Sequence, residues 1–198
     1  MKRFLDVTLS ILALITLSPL LVLFSLIIWL TSPGGVIYRQ IRVGKDDRDF
    51  KLLKFRTMTV NSDKQGLLTI GSRDPRITKF GYLLRKSKLD ELPQLINIIR
   101  GDMSIVGPRP EVRKYVALYN EDQRKILSVR PGLTDYASLA YFNENDILTS
   151  AEDPEETYIK EIMPHKIELN LQYIKNQSTK EDLRIIGRTI ALIFSRKK

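Results

Sequence analysis

Residues 7–30 carry no charged side chain. As a straight α-helix such a run is about 36 Å long, enough to cross a bilayer core of about 30 Å. Three architectures compete for it. A cleaved signal peptide would account for the basic start at Lys2 and Arg3. However, the run exceeds a signal core of roughly 7–15 residues and no small-x-small site ends it. The other two are a spanning anchor and a re-entrant helix that enters and leaves by one face. Pro19, preceded by Ser18, sits mid-run and favours a kink: proline lacks an N–H and clashes with the carbonyl four residues back. Ser18 can hydrogen-bond a freed carbonyl locally. Positive charge flanks both ends, with Lys2 and Arg3 before the run and Arg39, Arg42 and Lys45 after it. The preference of positive charge for the cytoplasmic side therefore leaves spanning and re-entrant readings level.

The remaining chain is polar and basic. Lys and Arg total 32 against 23 Asp and Glu, a net charge of +9, which suggests anionic partners such as acidic lipid, nucleic acid or phosphorylated substrates. With 43% hydrophobic and 28% charged residues, neither a disordered chain nor a polytopic transporter fits. The expected organisation is a membrane element over residues 1–33 and one domain over residues 34–198. Cysteine is absent, which excludes disulfides, thiolate metal sites and cysteine nucleophiles. A single histidine, His165, argues against a histidine triad or a multi-histidine metal centre.

Along the domain, Ser32-Pro33-Gly34-Gly35 ends the apolar helix. Residues 36–43 and 50–55 read as strands of a hairpin around a polar turn. Asp74-Pro75 reads as the start of a helix running toward Lys88, and a second helix is expected from near Asp90. Gly101-Asp102 reads as a stop before a short strand, and residues 111–127 as mostly helical. Asp153-Pro154-Glu155-Glu156 opens a further helix. Ser178-Thr179-Lys180-Glu181 is a capping box for the last one. That last helix carries Leu183, Ile186, Ile190 and Phe194 along one side, a stripe suited to core or to an interfacial helix on acidic lipid. The expected fold class is α+β, mainly helical, with a small β-hairpin and amphipathic interfacial helices.

Chemistry concentrates between residues 54 and 110. In Lys88-Leu89-Asp90-Glu91-Leu92-Pro93-Gln94-Leu95, adjacent carboxylates near a helix start point about 100° apart and need not share one role. One suits Mg2+ and the other attack or orientation, while capping alone is the plain reading of such a pair. Basic clusters surround it: Lys54-Phe55-Arg56-Thr57-Met58, Arg85-Lys86-Ser87-Lys88, and Gly107-Pro108-Arg109-Pro110. Each alone fits a solvated basic face. Arg109, held between two prolines, is the one best suited to bidentate phosphate recognition.

Together the Ser-Pro-interrupted helix, Lys54-Phe55-Arg56-Thr57-Met58, the stretch from Arg85 to Gln94, and Asn97-Ile98-Ile99-Arg100-Gly101-Asp102-Met103-Ser104-Ile105-Val106-Gly107-Pro108-Arg109-Pro110 resemble the bacterial sugar transferases, the small monotopic polyprenyl-phosphate phosphoglycosyl transferases. The resemblance covers the first two thirds of the chain. It implies transfer of a phospho-sugar from a UDP-sugar to polyprenyl (undecaprenyl) phosphate, releasing UMP, with Mg2+ as cofactor and a covalent phospho-sugar aspartyl intermediate on Asp90. Asp90 and Glu91 become the catalytic and metal-binding pair, and Arg85, Arg109, Lys54 and Arg56 phosphate contacts. The physical logic agrees: a carboxylate attacking a diphosphate needs positive charge around it, and phosphoryl transfer to an ionised phosphate needs no histidine base. A cytosolic donor and an embedded acceptor imply a monotopic protein on the cytoplasmic face of the bacterial inner membrane, with a re-entrant helix kinked at Ser18 and Pro19.

Two other classes compete: a membrane-tethered basic binding protein without catalysis, and a metal-dependent diphosphate hydrolase. No nucleic-acid motif is present. The sugar, the glycan pathway and the oligomeric state are not legible. Residues 136–142, rich in Tyr and Phe, are candidates for the sugar pocket, with core packing the plainer reading.

Overall fold

A computed structural model of the chain describes residues 1–62 and 74–195, with every side chain there except those of Asp146 and Phe194. The apolar run forms one helix, α1 (Lys2–Thr31), with Pro19 inside it. Ser18 Oγ donates to the Ile15 carbonyl at 2.8 Å. That is the acceptor the missing N–H of Pro19 would otherwise leave open, so the serine restores a partner at the proline.

One face of α1 is fastened to the domain along most of its length. Asp6, Ser10, Phe24 and Ile28 are buried, and Ala13 and Leu14 pack against Leu52, Leu95, Ile98 and Met103. Near its end, Phe24 and Ile28 join Phe55 and Leu84, with Phe24 edge-on to Phe55 and Phe80. The opposite face exposes Leu12, Ile15, Val22, Leu26, Trp29 and Leu30. A continuous apolar surface of this kind marks a membrane or partner contact. The helix is long and apolar enough to cross a membrane by length and composition. Lys2 and Arg3, read above as flanking charges, are partnered inside the protein instead. Lys2 Nζ reaches Asp182 Oδ2 (2.6 Å), the Val106 carbonyl (3.0 Å) and Tyr173 Oη (3.1 Å). Arg3 donates to the carbonyls of Ile98 and Ile99.

The hairpin forms as expected. β1 (Ile37–Val43) and β2 (Asp49–Phe55) are antiparallel, with Ile37 opposite Phe55 and Val43 opposite Asp49. The expected helix start at Asp74-Pro75 is displaced. Asp74 instead closes a turn onto Arg76, and Ile77 bridges to Met58. Helix α2 (Lys79–Lys86) is capped by Thr78, whose hydroxyl accepts from the Gly81 N–H. A 3-10 turn (Leu89–Glu91) precedes α3 (Gln94–Arg100), which Gly101 ends at φ +97°. The short strand β3 (Ser104–Val106) pairs in parallel with β4 (Gly132–Thr134), an element not read from sequence.

Residues 111–127 are less continuous than expected. They hold α4 (Arg113–Val116), α5 (Glu121–Arg124) and the start of a 3-10 turn, Lys125–Ser128, because Asn120 restarts the chain with its own capping box on Gln123. Then follow α6 (Tyr136–Ala140), α7 (Glu144–Thr149), α8 (Pro154–Thr157), α9 (Met163–Lys175) and α10 (Thr179–Ser195). Asp153 caps α8 as expected. A π turn (Tyr158–Ile162) carries α8 into α9. The main core joins Val43 to Tyr115, Val116, Tyr119, Leu148, Tyr158 and Ile167.

The α10 stripe divides. Ile186 packs beside Val106, Tyr173 and Ile185, while Leu183 and Ile190 stay 59% and 51% exposed, so the helix contributes to the core on one side and leaves apolar side chains on the surface. The Phe194 side chain and the basic end at residues 196–198 lie outside the described residues.

Candidate active site

Lys88 follows α2 in the left-handed region (φ 58°, ψ 15°). The chain turns sharply there, so the next residues point inward instead of extending α2. Asp90 and Glu91 are thereby 5% and 9% exposed, an unusual position for carboxylates without partners. Asn97 fixes the turn against the hairpin. It accepts from the Leu53 N–H at 3.0 Å and donates to the Lys51 carbonyl at 2.9 Å and to Asp102 at 3.1 Å. Lys54, next along β2, then faces the carboxylates.

The two acids have different surroundings. Glu91 is fully engaged: Arg109 grips both its oxygens in a fork, and Lys54 Nζ lies 3.3 Å from Oε1. Burial opposes its charge, yet Arg109 and Lys54 outweigh burial and hold the Glu91 carboxyl well below the usual range. Asp90 is the opposite case. Its Oδ1 is buried and has no hydrogen-bond partner among the described residues. Burial, then the Glu91 charge, push its pKa up, against the pull of Lys54, Arg85 and Lys88. Lys54 is itself lowered to about 8, chiefly by burial. Neighbouring carboxylates with pKa values pushed apart are a common mark of divided roles.

Arg109 stands on a loop pinned from both sides. Gly107 N–H donates to the Thr134 carbonyl at 3.1 Å and Gly132 N–H to the Pro108 carbonyl at 2.9 Å. The backbones of Gly107 and Gly132 approach so closely that a Cβ on either would collide with the other segment. The Arg109 N–H donates to Asp135 Oδ2 at 3.0 Å. Beyond Pro110, the Glu111 carbonyl accepts from Val43 N–H, and Arg42 donates to the Pro110 carbonyl and to Glu111 Oε1.

Two clefts flank this cluster. Asp90, Lys54, Arg56, Arg76 and Thr57 line one. Arg109, Glu111, Glu144 and Lys166 line the other, and Arg42 and Arg85 line both. The expected residues Asp90, Glu91, Lys54, Arg85 and Arg109 are thus brought together. Arg56 reaches the rim of the first cleft but fastens the Gly34-Gly35 turn, donating to both carbonyls at 2.7 Å. Residues 136–142 line neither cleft. Tyr136 bonds Glu181 and stands edge-on to Tyr173, and Phe142 lies under Lys88 at 5.5 Å. His165 bonds Tyr141 at 2.7 Å and lines neither cleft.

Sequence reasoning missed Arg42, Asn97 and Asp135. Asn97 stood within the motif stretch, but only the β2 contact reveals its use. Asp135 carried the signal of a helix cap, since Oδ1 accepts from Ser138 N–H, and nothing in sequence links it to Arg109.

A cation-lined cleft around a carboxylate with one buried oxygen left without a hydrogen bond suits a polyanionic substrate and a carboxylate nucleophile. The family model for bacterial sugar transferase matches residues 1–196. The chain belongs to the bacterial sugar transferase family. One relative within it is a UDP-N-acetylgalactosamine-undecaprenyl-phosphate N-acetylgalactosaminephosphotransferase from Aeromonas hydrophila, 38% identical over 98% of this chain and 44% of its own length. Another is a UDP-glucose:undecaprenyl-phosphate glucose-1-phosphate transferase from Escherichia coli (strain K12), 37% identical over 100% of this chain and 41% of its own length. The exopolysaccharide production protein ExoY from Sinorhizobium fredii (strain NBRC 101917 / NGR234) is 37% identical over 97% of this chain and 84% of its own length. The chain therefore spans about two fifths of the length of the first two and most of the third.

Proposed function

We propose that this sugar transferase moves a phospho-sugar from a UDP-sugar to polyprenyl (undecaprenyl) phosphate and releases UMP. The observation that carries the reading is the buried, unpartnered Oδ1 of Asp90 in a cleft of cations, beside a glutamate whose oxygens are both engaged. In the first step an Asp90 oxygen forms a bond to the sugar-linked phosphorus, the bond from that phosphorus to the bridging oxygen breaks, and UMP leaves with the electron pair. In the second, an oxygen of polyprenyl phosphate attacks the same phosphorus and the Asp90 carboxylate leaves. The product is a polyprenyl diphosphate sugar. Arg85, Arg109 and Lys54 offset the charge that gathers on the phosphoryl oxygens, and Glu91 orients Arg109 and Lys54.

Mg2+ fits this donor set. Among the described residues no cluster of three or more His, Cys, Asp or Glu could hold a metal. Mg2+ is commonly held by one or two carboxylates with substrate phosphate oxygens completing its shell. Asp90 Oδ1 supplies a hard oxygen; Glu91 joins only by releasing Arg109 or Lys54. When bound, the ion neutralises diphosphate charge.

An embedded acceptor and a cytosolic donor require chemistry at the cytoplasmic face of the inner membrane. The fastening of α1 to the domain from Asp6 to Ile28 supports a re-entrant helix over a free-standing span. The chain has no cysteine, so a cysteine added before Met1 and, separately, Thr31→Cys report topology cleanly. A membrane-impermeant thiol reagent should reach both only after the inner membrane is opened, and labelling of the first in intact cells would refute the re-entrant reading. The catalytic reading is tested by UMP release from UDP-glucose, UDP-N-acetylgalactosamine and related donors with Mg2+, with and without undecaprenyl phosphate. Lipid-dependent release abolished by Asp90→Asn is expected. Without lipid, release should stop at one UMP per chain; continued turnover without lipid would indicate a hydrolase, and no release from any donor the binding protein.

A further inference from the structure

Asp135 is fully buried and its two oxygens have separate tasks. Oδ1 accepts from the Ser138 N–H at 2.6 Å and so caps α6. Oδ2 accepts from the Arg109 N–H at 3.0 Å, across 26 residues of sequence. A cap alone needs only one oxygen, and serine or asparagine serves as well. The second bond falls on the backbone of the arginine whose fork grips Glu91. Among the described residues it is also the one link to that backbone made by a side chain; the loop's other ties, at Gly107, Pro108, Pro110 and Glu111, fall on neighbouring residues.

We propose that Asp135 is a positioning residue for phosphate recognition. By holding the Arg109 N–H, it sets the direction in which the guanidinium leaves the Gly107-Pro108-Arg109-Pro110 loop, and hence the fork that Arg109 offers both to Glu91 and to the substrate diphosphate. The proposal rests on the functional reading above, in which Arg109 contacts that diphosphate. Its physical basis is that a bidentate contact depends on orientation as well as charge, and that a partly buried N–H losing its acceptor must move or remain unpaired. Prolines at 108 and 110 limit the loop's other conformations, so a local shift at Arg109 is passed to its side chain rather than absorbed beside it.

Asp135→Ser separates the two tasks. Serine retains a capping oxygen for Ser138 but is too short to span both partners. The probe is UDP, which carries the diphosphate common to all UDP-sugars, titrated calorimetrically with Mg2+ into the full chain in detergent micelles. Asp135→Ser should weaken UDP binding roughly tenfold, the loss of about one charged hydrogen bond, with the melting temperature lowered only by the few degrees that one lost hydrogen bond costs. Arg109→Lys, which keeps the charge and loses the fork, should weaken it comparably. Adding Asp135→Ser to Arg109→Lys should then cost little more, because the two act through one contact. Asp135→Asn, nearly isosteric with a single acceptor oxygen, should act in the same direction and serves if the serine variant fails to fold.

Parental UDP affinity in both Asp135 variants, or effects that multiply fully with Arg109→Lys, would overturn the positioning role. Parental affinity in Arg109→Lys would instead overturn the phosphate-binding role of Arg109, and the positioning role with it.

Discussion

Replacing Asp6 with alanine tests whether the apolar helix is an integral part of the catalytic fold. The Asp6 carboxylate is buried. Its Oδ2 accepts from Ser104 Oγ at 2.7 Å and its Oδ1 from the Ile105 N–H at 3.1 Å. Ser104 is itself 2% exposed, so its hydroxyl finds no water once the carboxylate is gone, and the Ile105 N–H, in a partly buried strand residue, loses its acceptor. A buried donor left unpaired costs about 1–3 kcal/mol, and a hydroxyl that can rotate falls at the low end, so the pair amounts to about 2–4 kcal/mol. For a chain of this size each kcal/mol shifts the melting temperature by about 2–4 °C, so a fall of about 4–16 °C follows. The assay is thermal unfolding of the purified chain in detergent, followed by circular dichroism. A cycle with Ser104→Ala adds a second criterion: the double variant should be more stable than the sum of the single losses, since each single change leaves a partner unmet. A shift of under about 2 °C in Asp6→Ala, small beside that per-kcal/mol slope, or full additivity in the cycle, would refute the docking of α1 onto β3.

Three further outcomes are expected. Lys54 is charged below about pH 8 and neutral above it, so kcat/KM for the donor should fall as pH rises through about 8, and Lys54→Arg should move that limb upward; an unmoved limb excludes Lys54 as its source. Glu91→Gln removes the carboxylate that Arg109 and Lys54 share, and breaking a buried pair costs about 3–5 kcal/mol, read as a lower melting temperature; a melting temperature equal to the parent's would contradict the pairing. Gly132→Ala drives a Cβ into the Gly107 backbone, so it should lower stability and activity together, and a fully stable, active variant would show that β3 and β4 do not pair so closely.

The elements most legible in sequence were those set by short-range chemistry. The hairpin followed from alternating strands around a polar turn, the α8 start from Asp153-Pro154, and the stop after α3 from Gly101. Asp74-Pro75 misled because an Asx turn and a helix cap share one local signal, and only Thr78 had the following residues in register for a helix. The parallel pairing of β3 with β4 was invisible because each strand has three residues and the partners lie 28 residues apart. At the site, the acidic pair and its surrounding cations were legible as types. What was not legible was the division between them, which depends on Arg109 crossing to Glu91 and leaving Asp90 Oδ1 free. The same limit applied to Lys2 and Arg3: counted by sequence they flank a membrane segment, but in the fold they reach Asp182 and the α3 carbonyls.

The most direct test of the central claim is the intact mass of the chain after incubation with a UDP-sugar and Mg2+ in the absence of lipid phosphate. A covalent route through Asp90 gives a mass gain equal to one sugar phosphate, one UMP released per chain, and loss of the adduct on adding undecaprenyl phosphate, with no gain in Asp90→Asn. Lipid-dependent turnover by a chain whose mass never changes, or an adduct that persists in Asp90→Asn, would contradict it.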